Sequence, residues 1–549
     1  MSTRIVYRTN FIPDCIHVAA VSRLTSTPAL VVWESVPSLL RYKSLPIPLL
    51  HHQINQLLDD MATLLDCPAE LVDSIFERLS LRDLTSLSLS SKKIHEFATP
   101  RLYSSIDLSI RRGNPRPIIH LTRTIFNNPG LAKHIKSVRL RDADEAIQKL
   151  YRGYSYDKTL PEVPPAQPTD EDGITKFVDY VKKTNLSYSD SWIQKLRIAD
   201  LNGFVALLLS QLPGLKSFRT GYAAVVPSAG REGPRSRPNF TGENQFLGKL
   251  FQSAVFASDH GLPQFHQLEE ISFPGPISVD PGRDPDLCLP CDMAALLSLP
   301  SIRSIRGWCW NPSSLPYTWP TDQPPNPVHL TSLTLSYLHV DFLAQILTKT
   351  PALKTLCWNW KWIQDTHPLN TDTIDLDRFV EALEPIRENL EDLTIGFEFD
   401  PMSWGGIEPG KMKALGTLHG LESFANIKRF KAPLGVLLPD WDWNAGPDPN
   451  RRLEDSLPRN VEVVTVTDVF TSDYYAYDEE EELEFVRKWL FETASTRTPR
   501  LKEVCYYLDR NAEDFEEGDY GPIIGKAFEG TNVKYRVIDA REEKPWENV

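Results

Sequence analysis

Cys288-Leu-Pro-Cys291 is the pair whose residue types and spacing come nearest to a chemical site in this chain. Two thiols at that spacing can supply half of a tetrahedral zinc site or cycle as a dithiol. Zinc needs four ligands, however, and no second pair follows at a workable distance; Cys309 alone does not complete the set. His51 and His52 are adjacent, so their side chains diverge on a helix or a strand and do not form a ligand pair. Gly242 to Lys249, GENQFLGK, approaches a phosphate loop. It has one residue too many between its glycines, and Leu250 stands where a magnesium-binding hydroxyl belongs. No GxSxG elbow or HExxH helix occurs. Acids such as Asp372 and Asp375 are plentiful, but nothing pairs them for proton transfer. The expectation is a protein with no catalytic residues, no metal and no cofactor.

The bulk numbers narrow the partners. The chain has 549 residues, 41% hydrophobic and 24% charged, with a net charge of -14. Lys and Arg contacts to phosphate dominate nucleic-acid affinity, so this balance argues against a nucleic-acid ligand. The best basic strip, Arg231 to Pro238, reads as a Gly/Pro/Ser loop. Seven cysteines in so long a chain suit a reducing compartment better than a disulfide framework. No apolar run reaches the ~18 residues that span a bilayer, so no membrane partner is expected. The first 45 residues mix Arg4, Arg8, Arg23, Arg41 and Lys43 with Asp14 and Glu34, which reads as a tail rather than a targeting segment. Cytoplasm or nucleus is the expected location.

The elements that would position any site show a recurring pattern, apolar-x-x-apolar-x-apolar. It appears as Ile135, Val138, Leu140; as Ile193, Leu196, Ile198; and as Leu215, Phe218, Thr220. It continues through Leu268, Ile271, Phe273, then Ile302, Ile305, Gly307, then Leu330, Leu333, Leu335, and Leu353, Leu356, Trp358. The last copies are Leu390, Leu393, Ile395; Ile427, Phe430, Ala432; Val461, Val464, Val466; and Leu501, Val504, Tyr506. Each reads as a short alternating strand behind a helical segment. In VDFLAQILTKTPALKTLCW, Val340, Leu343, Ile346 and Leu347 form one helical face and Pro351 ends it. A helix plus strand recurring at such intervals is the pattern of leucine-rich-repeat solenoids, whose units share one core because none can bury its own face. The repeats are degenerate, the asparagine position of ideal repeats is mostly missing, and an ordinary α/β domain is the competing architecture. Pro-rich excursions, expected to be loosely packed, interrupt the pattern at Tyr156 to Gly173, Val226 to Asn244, Asn311 to Pro327 and Pro439 to Arg452.

Ahead of the repeats, Leu65 to Phe97 reads LDCPAELVDSIFERLSLRDLTSLSLSSKKIHEF. Pro68 suits a first helical position and Glu70 a helix start. Leu71, Ile75 and Leu79 make one stripe, widened by Val72 and Phe76; LSLRD breaks it; Leu84, Leu87 and Leu89 form a second face. Ser90 or Ser91 can cap a third helix through Ile94 and Phe97. Domains under ~40 residues rarely stand alone, and each exposed Leu or Ile forgoes ~1.5–3 kcal/mol of burial. The pattern therefore asks for a covering surface, from a neighbouring domain or another chain.

This stretch resembles the F-box, whose usual pattern is Leu-Pro-x-Glu-Leu, then Ile, Leu, Asp-Leu and a basic residue leading a third helix. Leu65, Pro68, Glu70, Leu71, Ile75, Leu79, Asp83, Leu84 and Lys92 supply it; the departures are an extra residue in Leu-Asp-Cys-Pro and Ser90 in place of a usual Val or Cys. The following ATPRLYSSIDL is similar to the exit of fungal F-boxes into a repeat domain. The resemblance implies the substrate-receptor subunit of an SCF-type ubiquitin ligase, with a Skp-family adaptor and through it a cullin-RING ligase as partners. Leu65, Pro68, Leu71, Ile75, Leu79, Leu84 and Leu87 would form the adaptor face and the small core behind it. Substrate would meet the residues between the apolar strand positions, Thr334, Cys357, Asn359, Lys361, Thr394 and Glu398. Trp308 and Trp310 oppose Ile305 in parity, so they are expected at the surface as anchors unless Gly307 makes a bulge. Trp358, Trp360 and Trp362 share the parity of Leu356 and are expected in the core. The alternative is a repeat scaffold whose F-box-like helices merely cap it. The expected fold is α/β: an N-terminal region at 1–60, an F-box at 61–108, a degenerate leucine-rich-repeat solenoid with a curved parallel sheet at 109–540, and a tail at 541–549.

Overall fold

The computed structural model describes residues 68–111, 114–142, 171–221, 246–256, 261–273, 290–322, 324–362, 369, 373–399, 413–438, 452–467, 479–508, 525–526 and 528–539. The chain divides into two compact units, Met1–Ser105 and Ile106–Val549. In the first, the described helices are α1 (Ala69–Glu77), α2 (Leu81–Ser88) and α3 (Lys92–Leu102).

From β1 (Ser105–Ile110) onward, strands alternate with helices: α4 (Arg116–Asn127), β2 (Ser137–Asp142), α5 (Glu171–Thr184), α6 (Ser189–Arg197), α7 (Leu201–Leu209), β3 (Ser217–Thr220), α8 (Phe246–Phe256), β4 (Glu270–Ser272), α9 (Pro290–Leu297) and β5 (Ser304–Trp308). Next come β6 (Ser332–Ser336), α10 (Val340–Leu347), β7 (Thr355–Trp362), β8 (Thr373–Asp375), α11 (Leu376–Leu383), β9 (Asp392–Phe399) and β10 (Lys413–Leu415). The chain continues through β11 (Arg429–Pro433), α12 (Leu434–Leu437), β12 (Val463–Thr467), α13 (Glu479–Glu492), α14 (Ala494–Arg497), β13 (Glu503–Leu508) and β14 (Lys534–Asp539).

Twelve strands form one sheet in chain order from β1 to β14, with β8 and β10 set aside as a parallel pair of their own. From β2 to β14 every pairing is parallel. A doubly wound sheet reverses its order at a switch point; this order never reverses. The register stacks like positions: Leu333 opposes Leu356, Leu356 opposes Leu393, and Leu393 opposes Phe430, all inside the core. The helices supply the opposing apolar surface. Trp358 stacks on Phe379 of α11 at 4.6 Å between ring centres, and its indole N–H donates to the Leu338 carbonyl at 3.0 Å. Every residue of α7 is buried, and Asp200 caps it by accepting the Gly203 N–H at 3.0 Å.

Most copies of the apolar pattern lie on strands, but Ile193, Leu196 and Ile198 do not. They belong to α6 and its end, where Trp192 and Ile193 are buried and Leu196, about one helical turn further on, is buried with them. An i, i+3 apolar pair serves a helix as well as a strand followed by alternation, so the pattern alone did not separate the two. Three asparagines at a different place in the pattern link successive copies. Asn389, Asn426 and Asn460 each precede the first apolar residue of a copy. Their side-chain amides donate to the preceding copy's Pro351, Glu388 and Ala425 carbonyls at 2.9, 2.7 and 2.9 Å. The excursion beginning at Asn311 is docked rather than loose in its described part. Asn311 is buried, donates to the Tyr337 carbonyl at 3.1 Å and accepts the His339 N–H at 2.6 Å, while the Tyr317 ring lies 5.2 Å from that of Phe342. The excursions at 226–244 and 439–450 lie outside the described residues, as do most of 156–173.

The residues just ahead of the strands form a ladder of alternating charge. Glu391 bonds Lys354 and Lys428, each at 3.0 Å, and Glu462 bonds Lys502 at 2.6 Å. Hydrogen bonds from Lys354 and then Lys428 hold the Glu391 carboxyl below its ordinary value. A carboxylate depressed in the folded state stabilises above its unfolded value, ~4.3, and loses that contribution as pH falls through the folded value. Glu391→Gln should therefore lower the thermal midpoint at neutral pH, and the gap from wild type should close in acid; melting curves across pH check it.

Candidate functional site

Among the described residues of the helical unit, Val72, Phe76, Leu84 and Ala98 are the buried apolar side chains of one cluster, with Leu79, Leu87, Ile94 and Leu102 packed partly against them. The helices are fixed locally. Ser80 caps α2, accepting the Asp83 N–H at 3.2 Å and donating its hydroxyl proton to the Asp83 carboxylate at 2.6 Å. Ser91, of the two serines considered, caps α3 by accepting the Ile94 N–H at 3.1 Å. Pro68 precedes α1 as its cap residue rather than its first helical one, and its carbonyl accepts the N–H groups of Leu71 and Val72. Arg101 of α3 reaches back to Glu77 of α1 at 2.8 Å; exposed pairs of this kind contribute about 0–1 kcal/mol.

These helices divide the expected adaptor residues between two roles. The inward stripe of α1 is Val72 and Phe76. Leu71 and Ile75, at i and i+4 on the stripe beside it, are 55% and 41% exposed, and Pro68 is exposed too. Leu84 belongs to the core, and Leu79 and Leu87 pack against it. Leu65 lies outside the described residues. Leu81, Leu89 and Phe97 are also exposed, so five of the ten exposed large apolar side chains among the described residues fall between Leu71 and Phe97. Half of the exposed large apolar side chains among the described residues thus fall within a stretch of 27 residues.

The second candidate is the polar face of the large sheet. Thr334, Cys357, Asn359 and Thr394 are half-buried on it, between buried Leu333, Leu356, Trp358 and Leu393. Lys361 and Glu398 are register partners of β7 and β9, and their side chains lie outside the described residues. One row is aligned across the strands from Arg139 through Arg219, Ser272, Arg306 and Thr334 to Cys357. It runs on through Thr394, Lys431, Thr465 and Cys505 to Arg536. On neighbouring positions, Glu270 pairs with Arg219 at 2.5 Å and Glu503 with Arg536 at 3.0 Å. The Lys431 ammonium sits 3.7 Å over the ring centre of Tyr507.

The tryptophan expectation needs correction. Trp308 does oppose Ile305 in parity, yet it is 1% exposed, because Trp310 and Tyr337 pack their rings 5.2 and 6.0 Å from it. β5 ends at Trp308, and these residues wrap its end. Trp310 is half-buried in the same cluster. Trp358 and Trp360 are in the core as expected; the side chain of Trp362 lies outside the described residues.

The chemical candidates find ordinary places. Cys288, Gly242, His51, His52 and Asp372 lie outside the described residues. Cys291 sits in α9, Lys249 in α8, and Asp375 caps α11 by accepting the Arg378 N–H at 3.0 Å. Among the described residues no cluster of three His, Cys, Asp or Glu side chains could hold a metal ion. No described helix is long and apolar enough to cross a membrane.

Residues 64–102 match the F-box domain. No curated protein matches the chain. F-box domains bind Skp-type adaptors of cullin-RING ligases, so this match and the exposed Leu71 and Ile75 describe the same three helices.

Phe76→Ala should cost the helical unit about 3–5 kcal/mol, the range for an aromatic truncated in a core. Leu71→Ala, on an exposed position, should stay within about 0.5 kcal/mol. Hydrogen-exchange mass spectrometry of the full chain, read on peptides from 68–104, should show faster exchange for the first variant alone.

Proposed function

We propose that this chain is the substrate-recognition subunit of an SCF-type ubiquitin ligase. In this reading α1 to α3 dock on a Skp-family adaptor, and the sheet unit is a degenerate leucine-rich-repeat solenoid that holds a protein substrate against its polar, concave face. The observation that carries it is the exposure of Leu71 and Ile75 on three short helices that share a cluster of four buried apolar side chains among the described residues and whose sequence matches the F-box. The unreversed parallel strand order with in-register repeats supports the solenoid half. The mechanism is tethering: the chain performs no bond-making itself, and holding a substrate beside the charged conjugating enzyme raises the effective concentration of its lysines.

Burying a Leu and an Ile in a partner is worth roughly 1.5–3 kcal/mol each, and carboxylates there would be stranded without water. Leu71→Asp with Ile75→Asp should therefore abolish capture of a purified Skp-family adaptor. Because both sites face solvent, the variant should keep the wild-type melting curve. Adaptor capture at wild-type strength by this folded variant would overturn the proposal.

A further inference from the structure

The aligned row on the polar face is charged opposite to the chain that carries it. The chain holds 59 Lys and Arg against 73 Asp and Glu. The row holds Arg139, Arg219, Arg306, Lys431 and Arg536 and no carboxylate. Parallel pairing in register has gathered these cations from five separate strands onto one line.

Resting on the reading that this face receives substrate, we propose that the substrate segment it takes is an extended acidic peptide, rich in Asp and Glu, laid across the strands between Arg306 and Lys431. Those two strands are four steps apart, ~19 Å at ~4.8 Å per step, which an extended peptide covers in roughly six residues. The positions between them are the small, half-buried Thr334, Cys357 and Thr394, so the floor is low where the peptide backbone would lie.

Charge complementarity selects the sign of the occupant. The spacing selects carboxylates over phosphates: phosphate recognition draws several Arg side chains to one point, whereas Arg306 lies between Ser272 and Thr334, and Lys431 between Thr394 and Thr465. Nucleic acid is disfavoured because its affinity comes from many closely spaced phosphate contacts, whereas this stretch of the row offers one cation at each end.

The test pans a random-peptide display library against the full chain, Arg306→Glu/Lys431→Glu and Thr394→Trp, with the wild-type thermal melting curve as the folding control for each. The proposal expects acidic peptides to be enriched on the wild type and lost from both variants. A labelled Glu-rich peptide should then bind by fluorescence anisotropy about tenfold more tightly than its Gln counterpart, the scale of two half-exposed charge pairs. Neutral or basic peptides lost only from Thr394→Trp would overturn the acidic class while keeping the face as the substrate site. No enriched peptide sensitive to Thr394→Trp would overturn both. Tighter binding of a phosphoserine version, or equal competition by polyuridylate, would overturn the choice of carboxylate peptide.

Discussion

A short strand with one apolar face cannot bury that face by itself, and everything in the larger unit follows from this. Burial requires neighbours at the same height, so like positions must meet. Leu333, Leu356, Leu393 and Phe430 do so through parallel register. A slip of one residue would turn all of them toward solvent. The devices that hold the register are local and repeated. Backbone N–H groups of Glu391, Lys428, Glu462 and Lys502 bond the carbonyl of the matching residue one copy back, each at 2.8 Å. The amides of Asn389, Asn426 and Asn460 do the same at the edge of the core.

The same register sorts the charges. At the leading ends of the strands, signs alternate and neutralise one another through Lys354, Glu391 and Lys428. Further along the polar face, cations line up and the row itself carries no acid. Both patterns arise from residues far apart in sequence, since each copy contributes a single position to each row. A core built on one face of the sheet thus leaves the other face free to vary in chemistry without disturbing packing.

The small helical unit solves the burial problem differently. Among its described residues, Val72, Phe76, Leu84 and Ala98 are buried together, while Leu71, Ile75, Leu81, Leu89 and Phe97 are exposed. Such a surface costs solubility unless another chain covers it, which is why an F-box match at 64–102 and this exposure point the same way.

The sequence by itself determined which segments alternate between faces, that Ser90 or Ser91 caps the third helix (the structure chose Ser91 and added Ser80 as the cap of α2), and that Leu65 to Phe97 is too apolar for its length. Those are local matters of period and capping, read over a few residues. It left Leu71, Ile75 and Leu84 undivided, because two apolar stripes side by side on a short helix look alike until the partner helices choose one. It placed Ile193, Leu196 and Ile198 on a strand, since their spacing suits both periods. It set Trp308 on the right face and at the wrong depth, because Trp310 and Tyr337 cover it from beyond the end of its own strand. The cationic row was invisible for the same reason: it exists only where strands scattered along the chain are brought into register.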